Sequence, residues 1–341
     1  MLGYLRMEQV VYQFVIYHLS YVILLRHYGA PMKPPKKPVP SKVTLRTLMK
    51  QFDSETACRE ALEALRWPKG VICPRCQKKD VGKLPTRPVY YCRGCKYQFS
   101  VTAGTIVGDS HLPLTVWFYA TALFVEAKKS MSALQLARTI GVTHKTAWYL
   151  WHRIRRAMLD TNPKPLHGVV EVDETYIGGK RKHVGRGYIG NKTMVLGALA
   201  RGGDIRLRIE KRDDKATLQG FVAETVSPNV KQIYTDEHPG YQGIDDDAGD
   251  RGLHQTVNHR SEEYVRGDVH TNSVESAWSL LKRSIVGSFH RVSEKHLPAY
   301  LDEFEFRFNN RKNPYLFRDT LIKLIETPTF QYKELTARKT A

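Results

Sequence analysis

Two pairs of cysteines limit what this chain can fold into more than any other feature. Cys73 and Cys76 form one C-x-x-C pair, Cys92 and Cys95 form the other, and 15 residues separate the pairs. Two tight turns that each offer two thiolates can close around one tetrahedral ion, and four cysteine ligands leave no open position for catalysis. The spacing favours structural Zn²⁺ over an iron-sulfur cluster. Redox chemistry, the other use of C-x-x-C, needs a single pair in a βαβ unit. The pattern therefore predicts a zinc ribbon.

The predicted ribbon is strongly basic and aromatic. Its cationic residues are Lys69, Arg75, Lys78, Lys79, Lys83, Arg87, Arg93 and Lys96, and its aromatic residues include Tyr90, Tyr91, Tyr97 and Phe99. The whole chain contains 53 Lys and Arg and 34 Asp and Glu, which gives a formal net charge of +19. Such a charge favours a polyanionic partner over a neutral metabolite. Because the aromatic rings equally suit the core of a small ribbon, the prediction of nucleic-acid binding rests on the charge.

The N-terminus is predicted to lie outside the functional fold. Residues 9–25 are apolar, but Gln13, His18 and Ser20 interrupt them and no small-residue cleavage site follows. This favours an extension over residues 1–31 rather than a membrane span or signal peptide, with a flexible start at Met32. The cysteine pattern is not that of a secreted disulfide scaffold, so we expect a cytoplasmic protein, associated with the bacterial nucleoid and not with a membrane.

The periodicity of apolar residues changes along the chain from helices to strands and back. Ser54 is placed to cap a helix that ends at Trp67 and Pro68, and residues 112–160 are helical. Alternating strand patterns follow at 169–177, 193–200, 205–212 and 230–236. A helix between Asp214 and Thr225 and two long helical patterns after residue 270 favour an α/β fold over a helical bundle.

These changes divide the chain into five parts. The predicted parts are an extension and flexible N-terminus at 1–43, a helical entry with the zinc ribbon at 44–101, a helix-turn-helix region at 102–162, an α/β domain at 163–315, and a C-terminal tail at 316–341.

Residues 131–158 have the pattern of a helix-turn-helix. A first helix at 131–140, a turn at 141–143 and a second helix at 144–158 are predicted, with Thr143 placed to cap the second helix. In DNA-binding versions the start of the second helix enters the major groove. The predicted DNA-contacting residues are His144, Lys145 and Thr146, with Arg153, Arg155 and Arg156 for phosphates. The alternative is an ordinary helical hairpin in which Trp148 and Trp151 pack.

Three carboxylates in the α/β domain suit metal-dependent phosphodiester chemistry. Asp173 and Asp236 each lie at the end of a strand pattern, where open sheets display catalytic groups. Glu275 follows Asp236 by 39 positions, near the start of a helix whose apolar face includes Val274 and Trp278. Two strand carboxylates and one helix carboxylate can hold a pair of divalent cations for in-line displacement, and Mg²⁺ or Mn²⁺ prefers such oxygen ligands.

The third position of this set is open. Asn272 lies one helical turn before Glu275 and could supply the oxygen instead. Lys282, two turns after Glu275, lies on the same face and could contact a phosphate. Glu174 and Glu237 also lie nearby, and Glu171 should face the same side of its strand as Asp173.

These motifs together resemble the ISXO2-like group of bacterial insertion-sequence transposases, which join a zinc ribbon to a ribonuclease H-like DDE domain. The resemblance is carried by CPRC…CRGC, VDETYIGG, YTDEHPGY, HTNSVESAWSLLKR and YLDEFEFRFNNR and covers about residues 45 to 315. It implies a ribonuclease H-like mixed sheet, a triad at Asp173, Asp236 and Glu275, and a lysine at Lys282. Members vary between Glu and Asn at the third position, so Asn272 stays open.

The resemblance also implies a reaction. Water cuts a strand at each transposon end in double-stranded DNA, and the freed 3′-hydroxyl then attacks target DNA by transesterification, with the enzyme acting as a homo-oligomer. The alternatives are a DNA-binding regulator or inactive relative, and a nuclease that hydrolyses without joining.

Overall fold

The computed structural model describes residues 44–178, 192–244, 252–257 and 269–337, so the predicted N-terminal extension lies outside the described residues. The chain divides into two compact units. The first comprises the described residues up to Glu126, Ala137–Ala157 and Asn313–Ala337; the second comprises Ala127–Leu136 and the described residues of Met158–Lys312. Within these ranges, no helix has the length and apolarity needed to cross a membrane.

The first helices within the described residues begin at hydroxyl caps. α1 (Leu45–Gln51) begins after Thr44, whose side chain accepts a hydrogen bond from a backbone N–H of the first turn. α2 (Glu55–Arg66) begins in the same way after Ser54, which confirms the predicted cap. α3 (Leu114–Glu126) is the most buried of these helices and follows the ribbon.

The ribbon is a small antiparallel sheet in the order β1 (Val81–Lys83), β2 (Tyr90–Cys92) and β3 (Gln98–Phe99). Trp67, which ends α2 before Pro68, packs edge-on against Tyr90 and Phe99 at centroid distances of 5.4 and 5.9 Å. These rings form the core of the ribbon, while its cationic side chains are exposed.

The helix, turn and helix predicted for residues 131–158 are present. α4 (Ala133–Ile140) ends at Gly141, which has a φ of +69° and so takes the left-handed conformation that glycine adopts most readily. α5 (His144–Met158) begins after Thr143, whose hydroxyl accepts a hydrogen bond from the backbone N–H of Thr146 at 3.2 Å. This confirms the predicted cap.

The C-terminal segment differs from the predicted tail. It forms α9 (Leu316–Glu326) and α10 (Tyr332–Thr336). Phe317 of α9 packs with the rings of Phe52 and Phe118 at centroid distances of 6.2 and 6.1 Å. Since α9 buries apolar residues at helical spacing, it belongs to the core of the first unit.

The second unit is built on a five-stranded mixed sheet, which confirms the predicted mixed-sheet α/β class. Its strands are β4 (Val169–Ile177), β5 (Thr193–Ala200), β6 (Ile205–Glu210), β7 (Gln232–Asp236) and β8 (His254–Val257). The order is β6-β5-β4-β7-β8; β4, β5 and β6 are antiparallel, while β7 and β8 run parallel to β4. Sequence patterning located the first four of these strands and missed β8.

Helices pack on both faces of this sheet. α6 (Lys215–Thr225) begins after Asp214, as predicted, and packs on one face with Val170 and Val172 of β4. α7 (Asn272–Ser284) and α8 (Leu297–Asn309) pack on the other. Because side chains alternate along a strand, Glu171 and Asp173 share one face, as the sequence predicts, and both bond to α7 on that face.

α8 also covers the outer edge of the sheet with its polar side chains. The Asn309 amide accepts a hydrogen bond from the backbone N–H of Ile205 at 2.8 Å and donates one to the carbonyl of Ile205 at 3.1 Å. Glu305 accepts from the N–H of Leu207 at 3.0 Å. The outward-facing backbone of β6 is therefore paired with a helix, which leaves no open strand edge at these residues.

Candidate active site

Asp173 and Asp236 stand at the same level of two adjacent parallel strands. β4 and β7 are paired with Glu171 opposite Tyr234. Two residues further along each strand come Asp173 and Asp236, so both side chains lie at the carboxyl end of the strand pair. The structure thus brings together the two strand carboxylates that the sequence singled out.

The acidic groups at this strand end destabilise one another's charge. Burial, then the carboxylates of Glu174 and Asp236, raise the pKa of Asp173 to about 7. Burial and then Asp236 raise the pKa of Glu174 to about 7 as well. Glu174 lies on the opposite face of β4 and accepts a hydrogen bond from the hydroxyl of Tyr241 at 3.0 Å.

The remaining predicted catalytic residues lie on α7. Asn272 is its first residue, and Glu275 and Lys282 are exposed one and three turns along. The hydroxyl of Thr271 donates to the Glu275 carboxylate at 3.2 Å. Within the described ranges, only the four ribbon cysteines gather as a group of three or more metal-binding side chains within 4.8 Å, so the three carboxylates do not converge to that distance.

Glu171 joins the first turn of α7 to the sheet. This carboxylate is fully buried and accepts hydrogen bonds from the backbone N–H groups of Ser273 and Val274 at 2.8 and 3.0 Å. The guanidinium of Arg201 donates to it at 2.7 Å. A helix N-terminus stabilises negative charge. A glutamate inside an apolar strand was the sequence signal for this anchor, but its partners could not be identified from the pattern.

Replacement of Glu171 by glutamine should lower the free energy of unfolding by about 3 kcal/mol, because it removes the charge that pairs with Arg201 and with the helix N-terminus. Urea denaturation measures the loss, and hydrogen exchange should rise in α7. The control is Glu224→Gln, which breaks an exposed pair with Arg208 at 2.6 Å and should cost under about 1 kcal/mol. Equal losses in the two variants would contradict the anchoring role.

Trp278 connects α7 to Asp173 directly. Its indole N–H donates to the Asp173 carboxylate at 2.8 Å. Its ring lies over Gly197, the cross-strand partner of Asp173 on β5. A Cβ at Gly197 would lie 2.3 Å from the ring, so only glycine leaves room for it. Sequence patterning identified Trp278 only as an apolar contact of the helix.

Gly197→Ala should lower the free energy of unfolding by about 1 to 3 kcal/mol, because the methyl group overlaps the indole of Trp278. Thermal or urea denaturation measures this. Gly220→Ala is the matched control: it lies inside α6 with no atom within 4 Å of the new methyl group, and should stabilise by about 0.5 to 1 kcal/mol. A neutral Gly197→Ala variant would show that the indole is free to move aside.

The four ribbon cysteines have the geometry of a zinc site. The Cys73 and Cys95 sulfurs are 3.6 Å apart, and those of Cys76 and Cys92 are 3.5 Å apart. Tetrahedral Zn²⁺ with bonds of about 2.3 Å requires sulfurs about 3.8 Å apart, so the site fits the ion. The two turns match: the N–H of Gln77 bonds to the Cys73 carbonyl and that of Lys96 to the Cys92 carbonyl, both at 2.9 Å.

The predicted DNA-contacting residues separate into exposed and buried sets. His144, Lys145 and Arg156 are exposed and Thr146 is half-buried. Arg153 and Arg155, predicted to contact phosphates, are 3% and 1% exposed. The Arg153 guanidinium donates to the carbonyl of Gly108 and lies 5.0 and 5.3 Å from the ring centroids of Trp117 and Tyr149. The burial of these two side chains contradicts that part of the prediction, and aromatic rings and a carbonyl enclose the Arg153 guanidinium.

Comparisons with known proteins agree with the order of the parts. Residues 165–309 match the family described as ISXO2-like transposase domain, and residues 53–98 match that described as transposase zinc-ribbon domain. An uncharacterized protein in transposable element ISH50 of Halobacterium salinarum is 31% identical over 299 residues, which cover 82% of this chain and 98% of that protein. An uncharacterized transposase-like protein of Haemophilus influenzae is 30% identical over 95 residues, 28% of this chain and 72% of that protein.

Among solved structures, a pre-cleavage Mos1 transpososome aligns with a TM-score of 0.26 and 15% identity, over 63% of this chain and 80% of that one. The family assignment follows from the two domain matches and from the relative that is similar over nearly its whole length. This chain belongs to the ISXO2-like transposase family.

Proposed function

We propose that this transposase cuts transposon ends and joins the freed 3′-hydroxyl to target DNA, with Asp173 and Asp236 as the central catalytic pair. The observation that carries the proposal is their common level just beyond the paired residues of β4 and β7, in the middle of β4 and at the end of β7. In this proposal residues 163–315 perform the chemistry, and residues 44–101 and 102–162 recognise the ends. Work on chromosomal DNA would place the protein at the nucleoid.

A divalent cation suits the donor set at this strand end. Hard carboxylate oxygens are the ligands that Mg²⁺ and Mn²⁺ prefer, and a bound cation would stabilise the charged forms of two partly buried carboxylates that repel each other. The bound cation would supply neutralisation of the charge that develops on the phosphodiester. Asp173 and Asp236 would hold it, and Lys282 would contact a phosphate of the same strand.

The helix geometry favours Glu275 over Asn272 at the third position. Successive residues are about 100° apart around a helix, so Glu275 lies about 60° from Trp278 and Asn272 about 120° from it. Trp278 is the residue that reaches Asp173. Lys282 lies on the same side as Glu275, within about 40° of Trp278. Glu275 therefore projects closer to the strand carboxylates.

Recognition of double-stranded DNA is assigned to the start of α5 and to the exposed cations of the ribbon. His144, Lys145 and Thr146 form the first turn of α5, where a helix enters the major groove in helix-turn-helix proteins. Since two ends must be held for joining, we propose that the transposase acts on DNA as a homo-oligomer.

Lys145→Ala and Arg156→Ala should each weaken binding of a transposon-end duplex and lower the slope of log affinity against log salt by about 1, because each removes one cation near the phosphates. Fluorescence anisotropy at several salt concentrations measures both quantities. Arg153→Ala, by contrast, should lower the thermal midpoint, since it removes a buried side chain. An unchanged slope in the first two variants would contradict this surface.

The proposed function is tested by incubating wild-type protein with a labelled transposon-end duplex and a target plasmid in Mg²⁺. We expect cleavage at the end and covalent joining of its 3′-hydroxyl, both lost in EDTA. Cleavage without joining would indicate a nuclease. Binding with neither reaction would indicate a regulator or an inactive relative.

A further inference from the structure

The hydrogen bond between Trp278 and Asp173 links the catalytic helix to the catalytic strand. Trp278 is 4% exposed, and its Nε1–H donates to Oδ2 of Asp173 at 2.8 Å. Because an indole N–H can only donate, the carboxylate must be the acceptor in this hydrogen bond. An aspartate carboxylate can otherwise turn broadly about its χ2 torsion. The bond therefore fixes how the carboxylate faces the end of the strand pair.

The position of the Trp278 indole is fixed by the space that Gly197 leaves on β5. A Cβ at Gly197 would lie 2.3 Å from Cη2 and 2.5 Å from Cζ2 of Trp278, so the ring occupies the volume that any other residue would fill. Gly197 is the direct cross-strand partner of Asp173. The ring thus lies beside Asp173 because β5 has no side chain at that level, and from there its N–H reaches Oδ2.

We infer that Trp278 is a positioning residue, which orients the Asp173 carboxylate for the divalent cation. This inference rests on the proposed function. The role differs from that of Glu171. Glu171 bonds to the backbone of the first turn of α7, whereas Trp278 bonds to the carboxylate of Asp173 itself. It also explains why the otherwise apolar strand β5 has a glycine at position 197, where the Trp278 ring lies.

The test is Trp278→Phe, which keeps an aromatic ring and removes the N–H. Outer partners of metal ligands contribute about 10- to 100-fold to metal affinity, so we expect Mn²⁺ binding to weaken by that factor. Electron paramagnetic resonance of free Mn²⁺ measures it on the full-length, zinc-loaded protein. Trp117→Phe is the matched control: it is 1% exposed and donates its N–H to Ser110 at 3.1 Å, so it loses the same group without touching a carboxylate.

Three further comparisons distinguish the positioning role from a purely structural one. Trp278→Phe should lower the thermal midpoint no more than Trp117→Phe does. In an Asp173→Asn background, Trp278→Phe should cause no additional loss of Mn²⁺ affinity. Gly197→Ala, which displaces the ring, should weaken Mn²⁺ binding in the wild-type background but not in the Trp278→Phe background.

The outcomes separate this inference from the proposed function. If wild type binds Mn²⁺ and joins strands while Trp278→Phe keeps its affinity within about twofold, below the range expected for an outer partner, the positioning role is overturned. The positioning role is also overturned if the double variant Asp173→Asn, Trp278→Phe loses as much Mn²⁺ affinity as the two single variants together. If wild type binds no Mn²⁺ and joins no ends, the proposed function fails first and the inference falls with it.

Discussion

Asp173→Asn and Asp236→Asn should each reduce strand joining by at least about a thousandfold while end binding is retained. Holding the cation that neutralises the reacting phosphodiester is worth several kcal/mol, and about 4 kcal/mol corresponds to a factor of 10³ in rate. Asparagine keeps the shape of the side chain but removes the charge that attracts the cation. The measurement is joining of a labelled end to plasmid in Mg²⁺, with anisotropy for end binding.

Glu237→Gln is the matched control for this pair. Glu237 follows Asp236 in the chain and is exposed, so its variant should join at the wild-type rate. Glu275→Gln should resemble the two aspartate variants, and Asn272→Ala should not. Severe loss with Asn272→Ala and none with Glu275→Gln would move the third position to Asn272. Normal joining by Asp173→Asn would contradict the catalytic pair altogether.

Cys92→Ser should release the ribbon zinc and unfold the ribbon, the largest stability effect expected in this chain. Structural zinc contributes about 10 to 16 kcal/mol to folding of small domains at pH 7, far more than a three-stranded sheet gains from its few buried rings. Cys92 lies on β2 beside Tyr90, so the aromatic cluster should open with it. Zinc content by mass spectrometry and hydrogen exchange over residues 70–101 measure the two effects.

Cys58→Ala provides the control for the zinc prediction. Cys58 is buried in α2 and lies outside the cysteine cluster. That variant should retain its zinc and the protection of the ribbon. Ribbon strands that stay protected in Cys92→Ser without zinc would show that the aromatic cluster alone is sufficient.

Sequence patterning succeeded where one local rule decides the structure. β4 and β5 begin and end where the alternating apolar residues do, and Ser54 and Thr143 cap helices because an N-terminal hydroxyl satisfies a free N–H. The strand β8 was missed because its four residues, HQTV, contain little apolar signal in a polar stretch. Its place is set by pairing with β7, which no local pattern reveals.

The failures at the candidate sites have a tertiary cause. Arg153 has the charge of a phosphate contact, but Trp117, far away in sequence, provides a ring for its guanidinium. Trp278 fits an apolar helix face, yet its polar edge bonds to Asp173, 105 residues earlier. α9 has the apolar spacing of a buried helix, but whether such a segment packs is decided by partners such as Phe52. The residue types could be read from the sequence, but their contact partners, which are distant in sequence, could not.

The cover that α8 forms over β6 has a consequence for the order of events during synthesis. Asn309 is made 104 residues after Ile205, whose backbone it pairs. At about 5 to 20 residues per second, the ribosome takes about 5 to 20 seconds to add that segment. During this interval the edge of the nascent sheet is open to other chains. Slow translation past β6 should therefore favour misassembly, and a chaperone that binds extended segments would act in that window.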